Sequence, residues 1–474
     1  MVDERSSHPL LGSCRLVLTG MVFLGVYHLM ALRFNLSMAL VCMTTDPTHN
    51  RTNHSMVVNQ CQEVGGLEED VRVDELQKEE FVEEEDREFQ WSKKFQGDLL
   101  SSFFYGYILT QLIGGWCSDR WGGKAVFLVG MTILTSTSLF IPLVARIEPS
   151  LLLLIRLVQG LASGLAFPSL YNLFTSWTSP GERATLMSIA YAGIPTATVA
   201  TFPLSSWLCR SGIDGGWPLA FYVPGATGLL WCLAFHLLVY SRPQDHPRIS
   251  AEERRHLKAP ESKETKKLKV PWMAMLASPA VHALWITHLC SAFGYYLIVI
   301  NISLFIREAL GFRVINNGLL SMLPSLGMLV FTITGKLFDL LRSRAVCSVT
   351  SLRKWFNTLG FIAPAACFLC LGLIPCHLKV LIPVIAIVIM TTVMMMILMH
   401  SLIFQCLKAT HVLMLTFGLS IHELCITGGF YFSHSELVIV ISINIAADFY
   451  IISASLCCCH DHSHYYPSST LPSM

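Results

Sequence analysis

Residues 97–145 read GDLLSSFFYGYILTQLIGGWCSDRWGGKAVFLVGMTILTSTSLFIPLVA, two apolar runs joined by a short charged loop. Each run is long enough to cross a hydrocarbon layer about 30 Å thick, for which a helix needs about 20 apolar residues. The loop follows the pattern Gly-x-x-x-Asp-Arg-x-Gly-x-Lys, whose fixed positions are Gly115, Asp119, Arg120, Gly122 and Lys124. Glycine permits a tight turn and a close approach of helices, and basic residues favour the cytoplasmic side. We therefore interpret this segment as two consecutive membrane spans joined by a cytoplasmic loop.

Apolar runs of this length recur along the chain. Hydrophobic residues make up 53% of the 474 residues and charged residues only 14%, against about a quarter charged in soluble domains. A soluble protein is therefore excluded, and the net charge of +1 gives no support to a nucleic-acid partner. The candidate spans are 14–43, 97–118, 122–145, 150–177, 185–209 and 217–240, then 275–308, 318–341, 355–375, 379–404, 408–432 and 436–458. The sequence thus predicts an all-α membrane protein of two six-helix bundles, with the second bundle incomplete if its last runs do not form helices.

A polar connector at 241–272 divides the two series of spans. It is charged and contains four prolines, and its many lysines and arginines favour the cytoplasm. Counting spans from it in both directions places the other basic clusters on the same side. The predicted organisation is a cytoplasmic N-terminus at 1–13, a first bundle at 14–240, a lumenal or extracellular loop at 44–94, a second bundle at 273–458 and a tail at 459–474.

The loop at 44–94 carries two sequons, at Asn50 and Asn53, which a lumenal or extracellular loop would present for glycosylation. Its stretch 63–88 is dense in Asp and Glu. Two interpretations stay open for that stretch: a solvated loop without fixed structure, or a vestibule that attracts cations.

Most of the 16 cysteines lie in apolar runs, where a thiol behaves as a small hydrophobic group, and only Cys61 lies in a plainly polar loop. The tail contains Cys457, Cys458 and Cys459 beside histidines, but consecutive cysteines are poorly spaced for one tetrahedral metal site. Acylation of these cysteines is the alternative. We expect no metal and no cofactor. An enzyme is also not expected, because the sequence contains no Walker loop, nucleophile–base pair or metal-ligand helix.

Two arginines interrupt apolar spans of the first bundle. Arg33 lies in the middle of the first span and Arg156 in the fourth, and an ionised group in the membrane core costs a few kcal/mol or more. Arg156 is nearer to an end, so extension of its side chain to the membrane surface is the alternative. With no carboxylate beside them, both favour an anionic ligand, because a guanidinium fork matches carboxylate or phosphate. Hydroxyl donors to such a site, or core-packing residues, are Tyr105, Tyr107, Tyr295 and Tyr296.

A degenerate copy of the charged loop occurs in the second series of spans. It begins at Gly335 and contains Asp339 and Arg342. Two copies at matching places in two halves are typical of carriers built from parallel repeats. We expect both loops to control conformational change rather than to touch substrate.

The first loop resembles the signature of the major facilitator superfamily. The first-span segment Ala31-Leu-Arg-Phe-Asn-Leu-Ser-Met-Ala-Leu-Val41 resembles the solute carrier family that holds sialin, the vesicular glutamate transporters and the sodium–phosphate cotransporters. Further similar segments are 102–111, 191–193, 317–324 and 353–364. The resemblance extends from about residue 15 to 375 and implies the major facilitator fold and anion transport. By the same resemblance, the central cavity is lined by Arg33, Tyr107, Arg156 and Tyr296.

The chain departs from sialin-like members in the fourth span. Those members carry glutamates where this chain has Gln159 and Ser163, and the resemblance implies that these carboxylates carry a proton. Gln and Ser do not ionise, so proton coupling, sodium coupling and uniport all stay open. The histidines His28 and His288 are membrane-embedded alternatives for a proton. After about residue 376 the sequence diverges from the family.

These observations favour a secondary active transporter of an organic anion or inorganic phosphate, coupled to H⁺ or Na⁺, working by alternating access. We expect a monomer in the plasma membrane or in a lysosomal or vesicular membrane. The alternative is a non-transporting splice product that serves as an inactive or interacting subunit, for which the divergent C-terminal region is the main support.

Overall fold

The structure is a computed structural model that describes residues 12–45, 87–179, 182–257, 299–304, 306–307 and 314–331, together with residues 273, 277 and 282. Several predicted features lie outside the described residues: Asn50, Asn53, His288, Tyr295, Tyr296, Asp339, Arg342 and the tail.

The described chain is almost entirely helical. Its helices are α1 (Cys14–Met43), α2 (Lys93–Trp121), α3 (Gly123–Ile147), α4 (Pro149–Gly164), α5 (Ala166–Trp177), α6 (Arg183–Tyr191), α7 (Gly193–Cys209), α8 (Leu219–Leu238), α9 (Ala251–Leu257) and α10 (Val314–Phe331). Two-residue strands β1 (Thr44–Thr45) and β2 (Phe89–Gln90) pair in parallel at the two ends of the 44–94 loop. We call the end of the bundle that holds β1 and β2 the loop side, and the opposite end the linker side.

Five helical segments among the described residues are long and apolar enough to cross a membrane. They are Cys14–Met43, Gly123–Ile147, Pro149–Trp177, Thr185–Cys209 and Leu219–Leu238. Helix α2 has comparable length, 29 residues, but carries charged residues at both ends. The predicted class, an all-α membrane protein, is confirmed.

Two predicted spans are each built from two helices. The fourth breaks between α4 and α5 at Leu165, and the fifth breaks between α6 and α7 at Ala192. Proline collides with the carbonyl four residues before it. Pro168 and Pro195 place that collision at the last residues of α4 and α6, Gly164 and Tyr191, which explains both breaks.

The charged loop forms a sharp turn between α2 and α3. Gly122 has φ of +87°, a conformation that side chains with a β-carbon rarely adopt, and it ends α2 directly before α3 begins. Gly123 packs against α5, where a β-carbon would lie 2.9 Å from the Leu173 nitrogen. Near Gly115 no described atom lies within 4 Å of such a β-carbon.

Glycines bring α2 and α4 into close contact. A β-carbon at Gly106 would collide with the Leu157 carbonyl oxygen, and one at Gly160 would collide with the Phe103 carbonyl oxygen. Small residues permit such approach where lipid supplies no hydrophobic drive for helix association. This contact fixes the relative position of Tyr107 on α2 and Arg156 on α4.

The first part of the polar connector is docked on the first bundle at the linker side. Glu253 on α9 is only 2% exposed and accepts hydrogen bonds from Arg15 Nε at 3.1 Å and from the Cys14 backbone nitrogen at 3.2 Å. Arg15 is fully buried and also pairs with Glu182, in the loop before α6. Because removal of one partner would leave a buried charge unpaired, this cluster holds the connector against the bundle.

A disulfide joins Cys42 at the end of α1 to Cys209 at the end of α7, with their Cα atoms 6.2 Å apart. Both cysteines lie at the ends of apolar runs, so the expectation that cysteines in such runs act as small hydrophobic groups does not hold for this pair. Disulfides form in oxidising compartments. The bond lies on the loop side, the side that the distribution of basic residues predicts to be lumenal or extracellular.

Segments of the second half pack against α1 and α7 on the loop side. The Ser206 hydroxyl donates to the Val314 carbonyl oxygen at 2.6 Å, and Ser37 donates to the Ile300 carbonyl oxygen. A β-carbon at Gly318 on α10 would lie 2.9 Å from the Phe202 carbonyl oxygen. The two halves therefore touch closely here.

Candidate functional site

Arg33 lies within the bundle, surrounded by aromatic rings. Its side chain is 4% exposed, and its Cζ atom lies 4.7 Å from the ring centres of Phe104 and Tyr107 and 5.0 Å from that of Phe103. Cation–π attraction stabilises a guanidinium in such a position, more strongly where water is excluded. The rings belong to α2, so the α2 segment SFFYGY forms the pocket for the α1 arginine.

Arg156 lies beside Arg33. It is 2% exposed, its Nη1 donates to Gln159 Oε1 at 2.9 Å, and its Nη2 donates to the Arg33 carbonyl oxygen at 3.3 Å. Its Cζ atom lies 4.9 Å from the centre of the Phe103 ring, so both guanidinium groups contact one aromatic side chain. The alternative of an arginine extended to the membrane surface is wrong, because the side chain is turned into the bundle.

The spans that hold this arginine pair carry no acidic side chain. None of the five candidate spans contains an Asp or Glu residue. Among the described residues, the Nε atom of Arg156 and the Nε2 atom of Gln159 are buried without a hydrogen-bond partner. Two buried cations, an Arg156 Nε donor without a partner among the described residues and no carboxylate in the five candidate spans form a site that suits an anion.

The predicted tyrosines separate into two groups. Tyr107 is 3% exposed and contacts Arg33, as a cavity-lining residue would. Tyr105 is 43% exposed on the outer face of α2, so its proposed contribution of a hydroxyl to the site is wrong. The spacing of two residues along a helix turns their side chains to different faces.

Gln159 and Ser163 are both buried in α4, at 0% and 2% exposure. The Gln159 amide oxygen accepts from Arg156, and the Ser163 hydroxyl donates to the Gln159 carbonyl oxygen at 2.7 Å. The fourth span therefore places two uncharged side chains next to the arginine pair.

His28 lies one and a half turns before Arg33 in α1. Its Nδ1 contacts the Leu24 carbonyl oxygen at 2.8 Å, and because a carbonyl only accepts, Nδ1 is the donor. Its ring stacks at 6.3 Å on Trp231 of α8. This environment holds the imidazole within the first bundle.

The residues of the charged loop lie on the linker side and away from the arginine pair. Asp119 accepts from the Asn172 amide of α5 at 2.7 Å, which ties α2 to α5. Lys124 donates to the His236 carbonyl oxygen at 3.0 Å, which ties α3 to the end of α8. The Arg120 guanidinium lies 5.8 Å from the Trp116 ring. The Asp119 and Lys124 contacts join neighbouring helices at the linker side, and control of conformational change by this loop stays a prediction.

Three residues of these contacts, Phe103, Phe104 and Asn172, and the buried Gln111 are not among the predicted site residues. Phe103 and Phe104 precede Tyr107 by about one turn, so their helical spacing could have indicated a shared face. Gln111 is buried at 1% exposure four residues after Tyr107. Asn172 gives no sequence signal, since it acts only through its contact with Asp119.

Residues 81–421 match the Major Facilitator Superfamily. Human sialin is 33% identical over 373 residues, which cover 78% of this chain and 72% of sialin. Vesicular glutamate transporter 3 of Danio rerio is 32% identical over 60% of this chain and 49% of its own length. Among solved structures, the xylose transporter XylE from E. coli matches with a TM-score of 0.63 at 13% identity, covering 93% of this chain and 99% of that chain. These similar proteins are transporters rather than enzymes, and the likeness to XylE is one of fold.

Proposed function

Because this chain belongs to the major facilitator superfamily, in the branch that includes sialin, we propose that it is a secondary active transporter of a small anion. The anion is an organic carboxylate or inorganic phosphate, and transport proceeds by alternating access. The observation that carries the proposal is the pair of buried arginines, Arg33 and Arg156, in spans without Asp or Glu. The name of one similar protein, vesicular glutamate transporter, also refers to an anionic substrate.

The two arginines would bind the acid group of the substrate. The rings of Phe103, Phe104 and Tyr107 surround the Arg33 guanidinium, and its planar set of N–H groups is what would recognise an oxyanion. Arg156 still has a buried Nε donor without a partner among the described residues. Hydrogen bonds from charged donors are the strong ones, and water exclusion strengthens them further.

Alternating access would move the two halves about this site. The contacts on the loop side that join the halves are directed largely at backbone carbonyls: Ser206 to Val314, Ser37 to Ile300 and Arg307 to Val41. Such bonds exchange readily for water because each group can be solvated when the halves separate. Closing on this side while the other side opens is the movement proposed for carriers with two parallel repeats.

The fourth span offers no side chain that carries a proton, since Gln159 and Ser163 do not ionise. Coupling to Na⁺, or to H⁺ through a group outside this helix, is therefore favoured over proton coupling through this helix. His28 is the membrane-embedded alternative among the described residues, because imidazole titrates near neutral pH.

The test is uptake into proteoliposomes by the purified full chain, with inorganic phosphate and a panel of organic anions under imposed H⁺ or Na⁺ gradients. We expect uptake of at least one anion. Arg33→Ala should lower its affinity by about ten- to a hundredfold, because one charge-assisted hydrogen bond contributes about 1.5–3 kcal/mol. Arg33→Lys should recover only part of the affinity, because an ammonium lacks the planar fork.

A variant of matched charge controls for folding. Arg120→Ala removes an arginine that lies on the linker side, stacked on Trp116, and should leave the affinity for the anion unchanged. Full affinity in Arg33→Ala would remove this residue from the site. Absence of uptake and of anion binding in the wild type would instead favour the alternative, a non-transporting membrane protein that serves as an interacting subunit.

A further inference from the structure

Gln111 is a buried glutamine without an assigned role. It lies in α2, is 1% exposed, and neither its amide oxygen nor its amide nitrogen has a hydrogen-bond partner among the described residues. Buried side-chain amides are nearly always hydrogen-bonded, so such a group requires an explanation. It offers two donors and one acceptor oxygen to a ligand.

The helical spacing of α2 places Gln111 on the side of the arginine pair. Phe104, Tyr107 and Gln111 are separated by three and then four residues, so they share one face. The first two contact the Arg33 guanidinium through their rings. The outer face is marked by residues with exposed fractions of 43–61%: Tyr105, Leu109 and Ile113.

The contact between α2 and α4 sets the depth of Gln111. A β-carbon at Gly164 would meet the Tyr107 carbonyl oxygen and the Thr110 side chain, so Gln111 lies near the level of Ser163 and Gly164. On α2, this level is about one turn beyond Tyr107, whose ring contacts Arg33, towards the linker side. The Ser163 hydroxyl is already bound to the Gln159 carbonyl oxygen within its own helix. The Gln111 amide thus remains available at this level.

We propose that Gln111 is a specificity-determining residue that binds an uncharged polar substituent of the transported anion, while Arg33 and Arg156 hold the acid group. This inference rests on the proposed function. An amide both donates and accepts, which matches a hydroxyl or a second amide. An alkyl chain at the same place would leave the amide buried and unpaired. The substrate class is therefore a hydroxy- or amido-carboxylate rather than a simple alkyl carboxylate.

The test compares glycerate with propionate, two three-carbon acids of equal charge that differ in their hydroxyl groups. Binding to the purified full chain is measured as the ligand-dependent increase of the unfolding temperature. The wild type should bind glycerate at least about tenfold more tightly than propionate. Propionate has no hydroxyl, so it would leave the buried Gln111 amide without a hydrogen-bond partner. Gln111→Leu should reduce this preference to about twofold or less and leave propionate binding unchanged.

A matched control is Gln96→Leu. Gln96 is also a buried glutamine of α2, at 2% exposure, but its Nε2 donates to the Trp91 carbonyl oxygen at 2.9 Å near the loop side. Its replacement should leave the ratio of the two affinities unchanged. If Gln111→Leu does not fold, Gln111→Asn is the second variant. It withdraws the amide by one methylene and should lower the preference for glycerate over propionate by at least about threefold.

The outcomes separate this inference from the proposed function. If Arg33→Ala abolishes binding of both acids while Gln111→Leu changes the ratio by less than about twofold, the function stands and the role of Gln111 is overturned. A wild type without preference for glycerate overturns it as well. If neither acid nor inorganic phosphate stabilises the wild type, both the function and the inference fail.

Discussion

At the scale of single residues, the net charge of the site depends on which side chain lies next to Arg156. Gln159 accepts from Arg156 at 2.9 Å with an uncharged amide, so the arginine keeps its full positive charge. A glutamate there would form a buried ion pair with it. The difference between an anion site and a neutral pair thus depends on the choice between two nearly isosteric side chains.

Gln159→Glu should weaken anion binding by about tenfold or more at neutral pH. The new carboxylate would lie within hydrogen-bond distance of Arg156, neutralise it and repel the substrate acid group. Binding is measured as the concentration of phosphate or carboxylate that half-saturates uptake. Gln159→Leu is the control, because it removes the same hydrogen bond without adding charge, and it should have the smaller effect. Equal effects of the two variants would contradict the electrostatic explanation.

The two arginines and Tyr107 of the site could be predicted from the sequence, whereas Gln111 could not. Arg33 and Arg156 stand out because an ionised group in an apolar span is costly. Gln111 does not stand out, because one amide in an apolar run is compatible with many kinds of packing. Tyr105 and Tyr107 are close in sequence, but they lie on different faces of α2, and only Tyr107 is buried. The roles of these residues depend on contacts between side chains of different helices, and the residue pattern of one helix does not reveal such contacts.

At the scale of helices, the predicted spans match the described ones closely in the first half, and their interruptions have local causes. Pro168 and Pro195 break the fourth and fifth spans, although the hydropathy of each is continuous. The docking of the connector could not be predicted. Charged connectors are usually solvated, but Glu253 accepts a hydrogen bond from Arg15, which precedes it by 238 residues.

On the loop side, an exposed ion cluster connects the residue before β2 with the C-terminal end of α3 and with the turn before α8. Glu88 accepts from Arg146 Nε at 2.7 Å and from Trp217 Nε1 at 2.9 Å, and Arg146 also donates to Asp214 at 3.1 Å. The hydrogen bond from Arg146 lowers the pKa of Glu88 below its ordinary value of 4.5, against the opposing effect of burial. At least this acid of the 63–88 stretch is engaged in a structural pair.

The stability from this pair should depend on pH in a defined direction. Because the folded pKa of Glu88 is the lower one, its contribution is fully present above pH 4.5 and is lost as the pH falls through the folded pKa. The pair is about one-third exposed, so we expect only about 0.5–1 kcal/mol, a decrease of roughly 0.5–1 °C in the unfolding temperature of a chain of this length for Glu88→Gln at pH 7. The difference from the wild type should shrink as the pH falls through the folded pKa of Glu88.

Glu148→Gln is the control for this measurement. Glu148 accepts from the Ser150 backbone nitrogen at 3.3 Å, which a glutamine oxygen can replace. A pH-independent decrease in Glu88→Gln would show that the loss arises from packing rather than from charge.

At the scale of the whole molecule, the first bundle is held together by a disulfide and a buried ion cluster, whereas its described contacts with the second half are hydrogen bonds and close helix packing. The disulfide between Cys42 and Cys209 joins two helices of the same bundle, and the buried Arg15 cluster fastens the connector to that bundle. Neither bond crosses between α7 and α10. If the carrier works by alternating access, as proposed, these bonds would let the first bundle move as one body.

Gly318 is the residue on which close contact between the halves depends, since its missing β-carbon lets α10 approach the Phe202 and Ser206 region of α7. Gly318→Leu should force the halves apart on the loop side, because the nearest atoms include backbone that cannot move aside. Overpacking of about 1–3 kcal/mol would shift the balance towards the form open on this side by about 5- to 150-fold. Labelling of Ser206→Cys by an impermeant maleimide added on the loop side reports this opening, since Ser206 is fully buried in the closed contact. The labelling rate should rise accordingly and uptake should fall.

Gly20→Leu is the matched control, because no described atom lies within 4 Å of a β-carbon at Gly20. If Gly318→Leu transports at the wild-type rate and leaves the labelling of Ser206→Cys unchanged, then the contact between α7 and α10 does not close the loop side during transport.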